Sequence, residues 1–332
     1  MRLEDIGFYT LSDDRAKHTS THSPLYRCEL ILTDRCNFSC PYCRGIGAHG
    51  DIDFEDALKT LSLWCDHGLK NVRFSGGEPT LYPWLSELVL YCRKNRVSRI
   101  AVSTNGSANL GQYRDLISCG VNDFSISLDG CCASLADKLS GSSGYFEKVV
   151  NNIRELSKQT YVTVGIVFTR ENIRMATETV TFADSLGVSD IRVIPSAQYN
   201  QALSSLGALP DEFLSKYPIL KYRIENVRCG KHVRGISWGD TNKCWLMLDD
   251  MVVCNGEHFP CIIYLREGGK AIGPVGDTIR KDREKFMCGH RPSNDPICRS
   301  NCLDVCIEYN KQASYFYSMR LAREINGPLS RV

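Results

Sequence analysis

The chain has 332 residues, of which 40 are lysine or arginine, 38 are aspartate or glutamate, and 43% are hydrophobic. These values exclude a mostly disordered chain, and a net charge of +2 gives no electrostatic case for binding nucleic acid or an anionic membrane. No apolar run of about 18 residues predicts a transmembrane helix, and the N-terminus is acidic where a signal peptide would be basic. We therefore expect a cytoplasmic protein.

The polar residues 1–24 predict a weakly ordered lead-in. Over residues 25–200, six short runs rich in Val, Ile and Phe alternate with longer segments of helical spacing, several of which end in Gly or a basic residue. This alternation indicates an α/β fold with a parallel sheet. Six strand–helix units suit a partial (β/α)6 TIM-type barrel.

The pattern changes after residue 200. Residues 201–228 predict a connection, and residues 229–312 contain eight of the 17 cysteines with little periodicity. Such a segment has too little apolar material for a core of its own, so a metal cluster is expected to stabilise it. Within it, residues 245–254 predict a hairpin about an Asp-Asp turn. Residues 313–332 predict a closing helix and tail.

Seventeen cysteines are too few for a small disulfide scaffold, and their odd number means that they cannot all pair. Without an export signal, metal or redox sites explain them better than disulfides do. Cys36, Cys40 and Cys43 follow the first predicted strand, and three thiolates this close can share one face of an iron–sulfur cube. Zinc is the alternative, although zinc sites usually pair two C-x2-C knuckles. The C-x3-C-x2-C spacing, with an aromatic residue at Tyr42, resembles the signature of the radical SAM superfamily.

Three further segments at the ends of successive predicted strands support this resemblance. Gly76-Gly77-Glu78-Pro79 resembles the GGEP motif of the superfamily. The STNG segment at 103–106 and the SISLDG segment at 125–130 resemble those of the subgroup with the molybdopterin-precursor and peptide-maturing enzymes. Parallel-barrel enzymes keep their working residues at these strand ends. Taken in order, the motifs identify residues 25–200 as a radical SAM partial barrel.

The resemblance implies that the three cysteines hold a SAM-binding [4Fe–4S] cluster. It also implies a set of SAM-binding residues, namely Tyr42, Gly76, Gly77, Glu78, Asn105, Ser127, Asp129 and Arg170. In this set Tyr42 would contact the adenine and Glu78 the amino group. Asn105, Ser127 and Asp129 are candidates for binding the ribose or the carboxylate. Arg170 would pair with the SAM carboxylate or simply be an exposed residue at a helix start.

A second cysteine pattern, Cys244-x11-Gly256-x4-Cys261, resembles the opening half of the SPASM pattern, which supplies auxiliary iron–sulfur ligands. Its closing half departs from that pattern, so a shortened, twitch-type domain with one auxiliary [4Fe–4S] cluster fits better. The implied ligands are Cys244 and Cys261.

Two further ligands would come from Cys298, Cys302 and Cys306, and Cys302 belongs to either adjacent pair. A zinc site is the alternative, because four thiolates suit zinc equally well. Cys254 is a spare ligand or a free thiol that could return a hydrogen atom to the substrate.

The resemblance implies a biosynthetic oxidoreductase or lyase that reductively cleaves SAM to a 5′-deoxyadenosyl radical, which abstracts a hydrogen atom from a substrate. A flavodoxin- or ferredoxin-type protein would supply electrons, and neither nucleic acid nor membrane is an expected partner. The short lead-in favours a small polar substrate, such as a sugar or a nucleotide-derived metabolite, and its dehydrogenation, epimerisation or rearrangement. A maturase of ribosomally made peptides is the first alternative. A non-catalytic iron–sulfur or zinc module is the alternative of another class.

Overall fold

The computed structural model describes residues 13–45, 50–199 and 203–325. Nine strands form its single sheet: β1 (Arg27–Ile31), β2 (Asn71–Ser75), β3 (Arg99–Thr104), β4 (Asp123–Ser127), β5 (Tyr161–Phe168), β6 (Asp190–Pro195), β7 (Asp250–Cys254), β8 (Glu257–Phe259) and β9 (Gly273–Pro274). Their spatial order is β6-β5-β4-β3-β2-β1-β7-β8-β9. Each of the strands β1 to β5 pairs in parallel with the next strand along the chain, which confirms the six-unit partial barrel.

Helices follow the parallel strands and cover the outer face of the sheet. The first seven are α1 (Asp13–His18), α2 (Phe54–Asp66), α3 (Leu85–Lys94), α4 (Leu110–Cys119), α5 (Ala133–Ser140), α6 (Phe146–Ser157) and α7 (Ala176–Ser185). The remaining six are α8 (Asp211–Lys216), α9 (Pro218–Arg228), α10 (Ile262–Arg266), α11 (Ile279–Gly289), α12 (Pro296–Asn301) and α13 (Asp304–Ile325). The short helix α5 was not predicted from the sequence.

The strands alternate between an apolar outer face and a polar inner face, as the two-residue period of a strand requires. In β2, for example, Val72 and Phe74 belong to the main hydrophobic core with the helices. Arg73, between them, lines the interior of the barrel. The core therefore lies between the sheet and its helices, and the barrel interior is left to polar side chains.

The C-terminal cysteine-rich segment continues the barrel sheet. Strand β7 pairs in parallel with β1, with Arg27 opposite Asp250. The predicted position of the hairpin is wrong, because residues 245–248 form a 3-10 turn and the hairpin joins β7 to β8. Its turn residues, Asn255 and Gly256, both have positive φ, which is the backbone geometry that Asn-Gly favours in a tight hairpin.

The lead-in is ordered from residue 13 onwards, contrary to the prediction, whose residues 1–12 lie outside the described part of the chain. Asp249 is fully buried and explains this order. Its carboxylate forms an ion pair with Arg15 at 2.8 Å and accepts hydrogen bonds from Thr19 at 3.2 Å and Ser23 at 2.9 Å. Several polar residues of the lead-in are thus partners of one buried charge.

The connection after β6 is helical and includes α9. This helix packs against β6, and the backbone N of Ile219 near its start donates a hydrogen bond to the Asp190 carboxylate. The closing helix begins at Asp304, nine residues before the predicted start, and the tail beyond Ile325 lies outside the described residues. Among the helices described, none is both long and apolar enough to cross a membrane.

Candidate functional site

A cavity of about 750 Å³ opens at the carboxyl ends of the parallel strands. The loop with the first three cysteines, the ends of β2 to β4, and the cysteine-rich segment all contribute to its walls. In parallel barrels this end is where substrates bind, because the loops that follow the strands converge there. Among the expected site residues, Cys36, Cys40 and Cys43 line this cavity together.

The first cysteine loop rests directly on the Gly76-Gly77 pair. Gly77 N donates to the carbonyl oxygen of Thr33 at 2.7 Å, and Glu78 N donates to that of Arg35 at 2.8 Å. A Cβ atom at either glycine would overlap these backbone oxygens. The family resemblance implied that Gly76 and Gly77 are SAM-binding residues. They line the cavity, but they also let the cysteine loop pack against β2.

The opposite side of the loop is held by the end of α5. Ser39 N donates to the carbonyl oxygen of Ser140 at 2.8 Å, and a Cβ atom at Gly141 would overlap the Ser39 carbonyl. The Phe38 ring packs edge-on against Tyr145, with ring centroids 5.1 Å apart. Sequence reasoning missed these residues, because their contacts are backbone contacts between distant segments.

Backbone amides donate to two of the three thiols. Phe38 N lies 3.4 Å from Cys36 Sγ, and Gly45 N lies 3.4 Å from Cys43 Sγ. Asn105 Nδ2 lies 3.9 Å from Cys36 Sγ. Burial, followed by the nearby Asp129 carboxylate, raises the pKa of Cys40 to about 11. A bound cation would favour the thiolates, and amide donors are the groups that stabilise thiolate sulfur.

Glu78 is completely buried, and protein groups already bind its carboxylate. Oε1 accepts from Thr80 Oγ1 and from Thr104 Oγ1, each at 2.7 Å, and Oε2 accepts from Asn105 N at 2.7 Å. Burial raises the pKa of Glu78, and the hydrogen bonds oppose this effect. The side chain therefore joins the end of β2 to the end of β3, and it is not among the residues that line the cavity.

Tyr42 and Asp129 form a partly buried pair at the cavity wall, in which the Tyr42 hydroxyl donates to the Asp129 carboxylate. Val167 N donates to the same carboxylate at 2.6 Å. Burial raises the pKa of Asp129 to about 6. Asn105 and Ser127 also line the cavity, whereas Arg170 is exposed and lies outside it. The structure therefore gives no support to a contact between Arg170 and SAM.

Arginines inside the barrel are the largest group that the sequence interpretation missed. The cavity is lined by Arg27, Arg44, Arg73, Arg192, Arg223, Arg234 and Arg266. Several have acidic partners; for example, Arg27 pairs with Asp250 at 2.6 Å. A charged residue in each of several otherwise apolar strands, as in RCELI and NVRFS, was the available signal.

The second cysteine group forms a pocket of its own, lined by Cys244, Cys261, Cys298, Cys302 and Cys306. Apolar side chains such as Leu246 and Ile263 complete its wall. Burial, followed by the neighbouring thiols, raises the pKa of Cys302 well above its ordinary value. Five thiols thus face one pocket, and the choice among the last three stays open.

His290 and Asp295 adjoin this pocket on the side of Cys298. His290 Nε2 lies 3.6 Å from Cys298 Sγ, and one ligand atom from each of the three residues lies within 4.8 Å of the others. Cys254 lines neither cavity. It is buried in a small apolar cluster with Val252 and Phe259, so the structure does not support its role as a hydrogen donor or a spare ligand.

Cys261 and Cys306 line both the auxiliary pocket and the barrel cavity. Cys261 is the N-cap residue of α10, and Cys306 lies in the first turn of α13. A group bound by the five thiols would therefore adjoin a molecule in the barrel cavity.

A partial parallel barrel with three cysteines on its first loop is the arrangement of enzymes that bind an iron–sulfur cluster with one iron left open. The sequence comparison agrees with this, since residues 30–183 match the Radical SAM superfamily. The matched residues include Cys36, Cys40 and Cys43, so this part of the chain is similar to that superfamily.

Curated relatives match the same part of the chain. A probable GTP 3′,8-cyclase of Metallosphaera sedula is 28% identical over 185 residues, which are 52% of this chain and 56% of the relative. A GTP 3′,8-cyclase of Synechococcus sp. is 32% identical over 138 residues, or 40% of each chain. The chain thus spans about half the length of the curated relatives it matches.

Solved structures extend the likeness to the C-terminal part of the fold. Streptococcus suis SuiB bound to precursor peptide SuiA has a TM-score of 0.59 at 15% identity, covering 87% of this chain and 69% of SuiB. Native anSMEcpe with bound AdoMet has a TM-score of 0.58 at 16% identity, covering 90% of this chain and 99% of anSMEcpe. At these identities the likeness concerns the fold alone.

Proposed function

We propose that this enzyme binds SAM in the barrel cavity and abstracts a hydrogen atom from a small polar substrate held between the two cysteine groups. The observation that carries this proposal is the shared wall: Cys36, Cys40 and Cys43 face the same cavity as Cys261 and Cys306. When bound, the cluster at the first three cysteines and SAM supply a 5′-deoxyadenosyl radical.

The residues of this chain would position SAM. Backbone groups at Gly76 and Gly77 are available to its amino group, while Glu78 acts from behind by positioning Asn105 through a backbone hydrogen bond. Asn105, Ser127 and Asp129 offer acceptors and donors to the ribose or the carboxylate. Tyr42, fixed by its hydrogen bond to Asp129, would form part of the adenine wall.

The auxiliary pocket fits a second [4Fe–4S] cluster, because five thiols line it together with apolar side chains. We assign Cys244, Cys261 and two of Cys298, Cys302 and Cys306 as its ligands. Its place beside the cavity would suit it to accept an electron from the substrate or to bind the substrate directly. The enzyme would work in the cytoplasm with a flavodoxin- or ferredoxin-type reductant.

The test is anaerobic reconstitution followed by measurement of iron and of 5′-deoxyadenosine. We expect about eight iron atoms per chain and SAM-dependent 5′-deoxyadenosine under reducing conditions. Absence of 5′-deoxyadenosine from a protein that has its full iron content would overturn the proposal. A measured content of about four iron atoms per chain would contradict the auxiliary cluster.

A second measurement separates a small substrate from a peptide. The low-molecular-mass fraction of a cell extract is added before and after protease treatment, and formation of 5′-deoxyadenosine is followed. Stimulation that survives the protease is expected for a small metabolite. Stimulation that the protease abolishes would instead support a peptide substrate.

A further inference from the structure

We propose that Arg44, Arg234 and Arg266 form a subsite for an oxyanion group of the substrate, a phosphate or a carboxylate. This inference rests on the proposed function and narrows its substrate to an anionic small molecule. The three guanidinium groups belong to the wall of the barrel cavity.

Arg44 directly follows Cys43, and Arg266 ends the helix α10 that begins after Cys261. Arg234 reaches the carboxyl end of β6, where its Nε donates to the carbonyl oxygen of Pro195 at 3.1 Å. An anion bound by these side chains would therefore lie between the two cysteine groups, which is where a substrate must lie to meet both.

Arg234 is the strongest part of the subsite, because its side chain is buried without an acidic partner. Only 5% of the residue is exposed, and its described hydrogen bonds go to two backbone carbonyl oxygens, those of Pro195 and Asn301. A guanidinium has five N–H donors, so three of those on Arg234 have no described protein acceptor. A buried cation of this kind requires a counter-charge to offset its loss of hydration.

The neighbouring charges add to this requirement. Burial and then the nearby Arg44 and Arg223 lower the pKa of Arg234 to about 10. Arg44 pairs with Glu267, and Arg223 pairs with Asp304. In the described part of the chain, Arg234 and Arg266 have no such carboxylate partner.

Planar guanidinium groups bind phosphate and carboxylate through paired hydrogen bonds. Three of them around one cavity therefore form a site that selects for an oxyanion. Neutral sugars would leave the buried positive charge uncompensated.

The experiment titrates the reconstituted, SAM-saturated holoenzyme with pyrophosphate, inorganic phosphate or malonate and follows binding by anaerobic calorimetry. The enzyme is saturated with SAM beforehand so that binding of the SAM carboxylate does not contribute to the measured heat. We expect binding that weakens with salt, and a loss of about tenfold or more in Arg234→Gln and in Arg266→Gln. Arg174→Gln, an exposed residue outside the cavity, is the matched control and should bind like the wild type.

Preference for pyrophosphate would identify a phosphorylated substrate, and preference for malonate a carboxylated one. No binding up to about 10 mM, or equal binding by both cavity variants and the wild type, would overturn the subsite. Arg266→Gln keeps the test decisive if Arg234→Gln fails to fold, because Arg266 has no described buried hydrogen bond. Reductive SAM cleavage, measured in parallel, shows separately whether the proposed function has failed.

Discussion

The two cysteine regions differ in what surrounds their sulfur atoms. The first three cysteines lie on one loop at the wall of a wide, charged cavity, and two of them are exposed. The cysteines of the second group come from four separate segments and line a small apolar pocket. An open, polar surrounding leaves room for SAM and substrate, whereas a closed one favours a group that stays in place.

The contacts that hold the two cysteine regions in place also differ. The first loop is held by glycines that allow backbone contact and by hydrogen bonds to β2 and α5. The second region is held by packing of the 3-10 turn against α13 and by Arg283, a buried side chain that donates to three backbone carbonyl oxygens. Backbone contacts therefore fix the first loop, whereas side-chain packing and one buried arginine fix the second region.

The largest expected effect is on the first region. Cys40→Ala removes one of three cluster ligands, so we expect SAM cleavage to fall by about a thousandfold and iron to fall by about four atoms per chain. Iron analysis and chromatographic detection of 5′-deoxyadenosine measure both. Cys119→Ala, a half-buried thiol on α4, is the control. Near-normal cleavage by Cys40→Ala would contradict the assignment.

The next effect is on the auxiliary pocket. In Cys302→Ala we expect about four iron atoms to be lost and the apparent Tm to fall by several degrees, because metal binding contributes to folding of this region. SAM cleavage without substrate should stay within about tenfold of the wild type, since the first loop is intact. Cys229→Ala, an exposed thiol, is the control, and unchanged iron in Cys302→Ala would refute the ligand role.

The five thiols can be sorted by the same assay. If Cys302 is a ligand together with Cys244 and Cys261, one of Cys298→Ser and Cys306→Ser should keep its full iron content and the other should lose about four atoms. Full loss in both variants would mean that the site uses all five sulfurs or binds its metal differently.

A third expected effect concerns the support of the first loop. A Cβ atom at Gly77 would overlap the backbone of Arg35, so Gly77→Ala should displace the loop and reduce SAM cleavage at least about tenfold. Gly111→Ala is the matched control, because a Cβ atom at Gly111 meets no atom within 4 Å. Equal activity of the two variants would show that the loop does not depend on this backbone contact.

The smallest effect is expected for a residue away from both cysteine regions, and its size gives a baseline for the effects on those regions. Burial raises the pKa of Asp190 from 3.8 to about 6, so its contribution to stability is complete below about pH 4 and is lost as the pH rises through 6. Asp190→Asn should remove this dependence. Relative to the wild type, its apparent Tm should rise by a few degrees between pH 5 and pH 7, corresponding to at most about 3 kcal/mol.

Thermal unfolding followed by circular dichroism at several pH values measures this difference. The exposed Asp115→Asn variant is the control, and its curve should run parallel to that of the wild type. A parallel curve for Asp190→Asn as well would mean that the buried carboxylate does not titrate in this range.

Local patterns predicted much of this fold. Short branched runs and helical spacing identified the six parallel strands and most helices between them, because both signals depend on neighbouring residues. They failed for α5, for the hairpin about Asn255-Gly256 and for the lead-in. In the last case the cause is Asp249, a buried charge more than 200 residues away that binds Arg15 and Thr19.

By itself the sequence predicted the class of protein, since cysteine spacing and the motifs at strand ends are local features. Only the tertiary structure decided that Glu78 is enclosed while Arg170 is outside the cavity, and that Cys261 and Cys306 face both cavities. It also decided that Arg44, Arg234 and Arg266 line the same cavity. These are relations between side chains from distant segments, and their burial and charge balance exist only once the chain has folded.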